Sequence, residues 1–142
     1  MLILDLFGTG DSEGEFEQAD WTTWLDDLRT GADWLRHKPG PFALWGTRLG
    51  AVLATDAAQA LAGEVARLLF WQPVSKGKQM FTQYLRLRVA NSLEAQGMQE
   101  TTNELRAKLA GGEALEVGGY YIAPRLAADL DAVGLPAEPD LP

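Results

Sequence analysis

Gly46-Thr47-Arg48-Leu49-Gly50 is the sharpest arrangement of chemistry-bearing residues in this chain. It lies between a short apolar run, Phe42 to Trp45, and a helical pattern from Leu49 to Leu61. A strand that turns tightly into a helix needs glycine on both sides of the turn, because the backbone approaches itself closely there. In a G-x-S-x-G elbow this layout thrusts the central side chain out above the sheet edge. Here the central residue is Arg48. A guanidinium stays protonated and has no usable nucleophilic atom, so the spacing predicts an elbow without its nucleophile. Thr47 carries a hydroxyl, but the turn aims it elsewhere. The plainer alternative is that Gly46 and Gly50 serve helix–strand packing alone.

A second glycine-rich stretch runs from Asp5 to Gly14 and includes Gly8, Gly10 and Ser12. A dinucleotide site fails on spacing, because Gly8, Gly10 and Gly14 give G-x-G-x-x-x-G rather than G-x-G-x-x-G. It fails on charge too, since Asp11, Glu13, Glu15 and Glu17 would repel a pyrophosphate. An EF-hand fails because Phe16 stands where the invariant glycine belongs. The carboxylates could hold a divalent ion weakly; a solvated acidic loop is the simpler account. Chemistry by Asp11 with Glu13 alone is disfavoured, as loop carboxylates without burial keep ordinary pKa values. Gly77-Lys78 lacks the upstream glycine of a phosphate-binding loop.

The only histidine, His37, closes a helix just before Pro39, where a cation answers the C-terminal dipole. Lys76, Lys78, Arg86 and Arg88 are interleaved with Met80, Phe81, Tyr84 and Leu85. That cluster could meet an acidic partner, a lipid head group or an anionic substrate; a helix with one solvated face explains it more simply. Trp21, Trp24 and Trp34 are expected in the core.

Composition narrows the chemistry further. The 142 residues include no Cys, which removes disulfides, thiol nucleophiles and Cys-based zinc sites together. A hydrophobic content of 46% excludes a disordered chain. The net charge of −8 argues against nucleic acid as a partner. Residues 1–40 carry 3 basic and 9 acidic side chains, residues 41–110 carry 8 and 5, and residues 111–142 carry 1 and 6. No stretch approaches the roughly 18 apolar residues of a membrane span, and no basic n-region precedes Leu2-Ile3-Leu4. A soluble cytoplasmic protein is expected, with no cofactor or metal assigned and its small-molecule or protein partner unknown.

The elements that must position these residues follow from periodicity. Leu2 to Phe7 is expected as a strand buried on both faces. Asp20 caps a helix with apolar residues at Trp21, Trp24, Leu25, Leu28, Ala32 and Leu35, stopped by Pro39-Gly40-Pro41. Phe42 to Trp45 is the second strand, Leu49 to Leu61 a helix, and Val65 to Trp71 the third strand. Strand, helix, strand, helix, strand at this spacing predicts a parallel sheet with crossover helices. Beyond Pro73 the spacing predicts helices over Met80–Leu93 and Met98–Leu109. A hairpin is expected about Gly118-Gly119 and a last helix from Pro124 to about Val133. The chain is expected to divide into a core at 1–74, a lid-like segment at 75–136 and a loose tail at 137–142.

A glycine-rich turn after one strand and an elbow after the next resemble the α/β-hydrolase superfamily. Its D-x-x-G-x-G-x-S-x-G stretch is matched by Asp5, Gly8, Gly10, Ser12 and Gly14, and its elbow by Gly46 to Gly50. More narrowly, Leu68-Leu69-Phe70-Trp71-Gln72-Pro73-Val74 and Gly77-Lys78-Gln79 are similar to the exosortase A system-associated hydrolases of the second type. Those are bacterial proteins linked with exopolysaccharide production and PEP-CTERM sorting. The similarity spans nearly all of the chain up to about Leu130.

The resemblance implies the middle part of an α/β-hydrolase fold followed by a mostly helical, cap-like segment. It implies the Leu49 amide as the surviving oxyanion donor. The triad histidine follows the nucleophile in chain order, whereas His37 precedes the elbow, so no catalytic acid or base can be assigned. The chain thus resembles a fragment, as from a broken or misread gene, that does not perform serine hydrolysis. Alternatively, the elbow pocket with Arg48 at its mouth binds a carboxylate, another anion or a protein partner. Strand Leu2 to Leu6, uncovered, would present an apolar edge inviting self-association.

Overall fold

The computed structural model describes residues 1–61, 63–96 and 100–137, with side chains left aside at 93–96. Within them the fold is mixed α/β: five α-helices, a two-stranded parallel sheet and a two-stranded hairpin.

Helix α1 (Trp21–Leu35) begins where the sequence predicts, with Asp20 accepting the Thr23 amide at 2.7 Å. It buries Trp21, Trp24 and Ala32. Trp34 departs from the expected core placement: it is 54% exposed, with Lys38 Nζ 4.9 Å from the ring centroid. Strand β1 (Phe42–Thr47) leads into α2 (Gly50–Ala60), and β2 (Val65–Trp71) returns parallel to β1. The register pairs Ala43 with Arg67, Trp45 with Leu69 and Thr47 with Trp71. Helix α2 is rich in alanine, and Ala51, Val52, Leu53, Ala54, Ala57 and Ala58 are all buried.

Leu2 to Phe7, expected as the first strand, forms none. It pairs with neither edge of the β1–β2 sheet, and Leu4 and Phe7 meet α1 instead. Leu4 lies over Gly31, where even a Cβ would come within 2.7 Å of Leu4 Cδ1. The Phe7 amide donates to Asp27 Oδ2 at 2.7 Å, and Trp24 Nε1 donates to the Phe7 carbonyl at 3.1 Å. The parallel sheet accordingly holds two strands, not three.

Beyond β2 come α3 (Gly77–Gln96), α4 (Thr102–Ala110), β3 (Leu115–Val117), β4 (Tyr120–Ile122) and α5 (Pro124–Ala132). Helix α4 opens four residues after the expected Met98, which itself lies outside the described residues. Thr101 supplies the cap by accepting the Glu104 amide while Glu104 accepts the Thr101 amide, a reciprocal pair that satisfies two free N–H groups. Gly118 and Gly119 take positive φ (62° and 90°) in the two-residue turn, as a tight hairpin requires. The expected loose tail falls at Ala137 and on residues 138–142, which are outside the described set.

One core unites these elements. Val52 of α2, Phe81 and Leu85 of α3, Leu105 of α4, Leu115 of β3 and Leu126 of α5 are fully buried in one cluster with Trp21 and Trp24. No helix among the described residues is long and apolar enough to cross a membrane.

Candidate functional site at the carboxyl end of the parallel strands

The Gly46–Gly50 stretch joins β1 to α2 in a turn with no slack. Gly46 is buried beneath the first turn of α2: a Cβ there would run into the Gly50 carbonyl oxygen and lie 2.5 Å from Ala51 N. Gly50 has open space around it and no positive φ. Only the first of the two glycines is therefore required by close approach.

Arg48 occupies the left-handed region, with φ of 51°. For a side chain with a Cβ this costs roughly 1–2 kcal/mol, so the surroundings must impose it. They do so through the main chain. The Arg48 amide donates to the Trp71 carbonyl at 3.0 Å, and the Arg48 carbonyl accepts from the Ala51 and Val74 amides at 3.2 Å each. The turn is thereby tied to the end of β2.

Gln72 is, among the described residues, the second outside glycine with positive φ, 46°. It directly follows Trp71, as Arg48 directly follows Thr47, and Thr47 and Trp71 are register partners. Two strained residues thus sit side by side at the carboxyl end of the parallel pair. That end of an α/β sheet is where ligands bind, and backbone strain concentrates at functional sites. Sequence reasoning missed Gln72; only the strand register reveals it.

The side chains of Thr47, Arg48 and Gln72 are exposed. Arg48 forms no ion pair among the described residues, and the Leu49 amide has no protein acceptor there. A free guanidinium therefore stands beside a free N–H at the head of α2, where the helix dipole favours negative charge. A shallow cavity of about 310 Å³ lies elsewhere, between the N-terminal segment and α1, lined by Leu2, Leu4, Asp5, Asp27, Gly31 and Trp34, among others.

The Asp5–Gly14 stretch forms a compact turn. Gly8, Gly10 and Gly14 all take positive φ (74°, 55° and 86°). Asp5 accepts the Asp11 amide at 3.1 Å and packs against Gly10, while the Phe7 ring lies on Gly14. Ser12 donates its amide to the Thr9 carbonyl, and its hydroxyl is unused among the described residues. No hydrogen bond joins this turn to the Gly46–Gly50 turn; it is tied to α1 through Phe7.

His37 is exposed, one residue past the C-cap of α1, with Nδ1 3.1 Å from the Asp33 carbonyl. A carbonyl can only accept, so Nδ1 carries the proton and the ring answers the helix end. In the basic cluster, Met80, Phe81 and Leu85 are buried and Tyr84 is exposed. Arg88 is taken up by the Glu116 carbonyl at 2.6 Å and by Glu100 at 3.4 Å. Among the described residues, no three of His, Asp and Glu gather as metal ligands.

The chain matches no protein-family model and no curated protein.

Proposed function

We propose that this chain carries an α/β-hydrolase-like core, similar to the bacterial exosortase A system-associated hydrolases of the second type, working in the cytoplasm without serine hydrolysis. The carrying observation is Arg48 at φ 51° between β1 and α2. The conformation suits a strand-to-helix elbow, and the residue held in it has no nucleophilic atom. His37, the one imidazole of the chain, is spent on the end of α1. A fluorophosphonate serine probe incubated with the purified chain is expected to leave it unlabelled. Covalent labelling at Thr47 or Ser12 would overturn the reading.

The free Arg48 guanidinium beside the free Leu49 amide favours a second role in place of hydrolysis. The turn holds a carboxylate or other small anion, or the anionic group of a partner, by a charged fork and a helix N-terminus together. Calorimetric titration with acetate and with inorganic phosphate tests it: binding that Arg48→Ala abolishes supports the reading. Binding unchanged by that substitution removes its basis.

A further inference from the structure

The β1–β2 pair is covered on one side only. Leu44, Gly46, Leu68 and Phe70 share the face towards α2. The opposite face carries Ala43, Trp45 and Thr47 beside Arg67, Leu69 and Trp71, all exposed. Trp45 is 63%, Leu69 51% and Trp71 60% exposed. Parallel sheets are ordinarily covered on both faces. A tryptophan offers about 150–250 Å², so Trp45, Leu69 and Trp71 leave an apolar patch of roughly 300 Å², in the range of the largest patch on a typical monomer. Neither outer edge of the pair is hydrogen-bonded to another described element.

The same chain carries the complementary defect. Met1 to Leu6 is in no strand, and its one main-chain hydrogen bond among the described residues is the Thr9 amide to the Leu6 carbonyl. Ile3 is 76% exposed, and Leu2 and Leu4 are more than a third exposed. A sheet without its next strand and an apolar segment without a sheet thus coexist, unpaired with each other.

Charge favours their pairing between copies. The charged side chain on the open face is Arg67, and Arg48 follows β1; neither is ion-paired among the described residues, while Glu64, just before β2, is neutralised by Arg36. The donor region is acidic: Asp5, Asp11, Glu13, Glu15 and Glu17 occur in it, and no Lys or Arg precedes Arg29. Size favours it as well, because reciprocal donation lets each copy bury both its patch and its segment, towards the roughly 800 Å² per partner of a stable interface.

We propose that this face is the interface between two copies of the chain. Each copy lays its Leu2–Leu6 segment along an open edge of the other's β1–β2 sheet, and the open faces carrying Trp45, Leu69 and Trp71 are buried where the two copies meet. Reciprocal donation makes the assembly a closed two-fold dimer.

Sedimentation velocity and light scattering on the full chain, over a dilution series in the micromolar range, test this. A dimer is expected, with a dissociation constant that rises with salt. Ile3→Pro removes a strand N–H, and Trp45→Glu places a charge on the open face. Each should weaken the dimer at least tenfold while leaving the circular dichroism of the monomer unchanged. The paired substitution Tyr84→Glu with Leu87→Glu, on the exposed side of α3, should leave it intact. A monomer at every concentration overturns the proposal. So does a dimer that neither Ile3→Pro nor Trp45→Glu weakens.

Discussion

The main-chain amide of Arg48 donates to the carbonyl of Trp71 at 3.0 Å, so the turn out of β1 is locked to the end of β2. The left-handed backbone of Arg48 is a consequence of that lock and of Gly46 beneath it, not of any preference of arginine.

The two glycines of the turn should therefore respond oppositely to alanine. Gly46→Ala drives a Cβ into the Gly50 carbonyl and should cost roughly 1–3 kcal/mol. Gly50→Ala enters open space at the first residue of α2 and should gain about 0.5–1 kcal/mol. Urea midpoints of the two variants decide the matter, and equal losses would refute the assignment of the close approach to Gly46.

Arg48→Gly should raise stability by about 1 kcal/mol, because glycine adopts φ of 51° without a steric penalty. It should at the same time abolish any anion binding at the head of α2. Stability gained and binding lost in one variant would mark Arg48 as kept for its side chain. A loss of stability would mean that its aliphatic stem packs in a way the exposed position does not suggest.

Asp20 gives the fold an acid-sensitive joint. The Thr23 amide, first, then the Thr23 hydroxyl and Arg125 hold its carboxyl below the usual aspartate range, against the opposing effect of burial. The folded state then binds fewer protons than the unfolded chain. The stabilisation is present above the unfolded-state value and is lost as pH falls through the folded-state value. Asp20→Ala should cost about 0.5–2 kcal/mol at neutral pH. The gap between variant and wild type should close on acidification, as followed by urea unfolding at a series of pH values. A gap constant with pH would show that the cap works without its charge.

Phe81 is fully buried at the centre of the shared core. Phe81→Ala should cost about 3–5 kcal/mol, a large part of the 5–15 kcal/mol typical of a domain. Because residues on both sides of Val74 contribute to that core, far-ultraviolet dichroism and tryptophan fluorescence should report one coincident transition. Two separated transitions would divide the chain into independently folding parts.

Several elements were legible because their signals are local. Asp20, Gly118-Gly119 and Pro124 announce a cap, a turn and a first helical turn without reference to anything distant, and the structure has all three. Val65 to Trp71 was legible as a strand for the same reason. Leu2 to Phe7 was not, because apolar character states that a segment will be covered and leaves open by what. Here Gly31 leaves room on α1 for Leu4, and Asp27 captures the Phe7 amide. At the site, Gly46 and Arg48 could be picked out from spacing. Gln72 could not, since its position beside Arg48 depends on the pairing of Thr47 with Trp71.

The tryptophans fall into two optical populations. Trp21 and Trp24 are buried, while Trp34, Trp45 and Trp71 face water. Folded protein should therefore emit as a blend of a blue and a red component, with only the red one reached by iodide or acrylamide. Unfolding moves the blue component to the red, whereas covering the open sheet moves part of the red one to the blue. The chain thus carries a native spectrometer that separates loss of structure from gain of a neighbour by the sign of one wavelength shift.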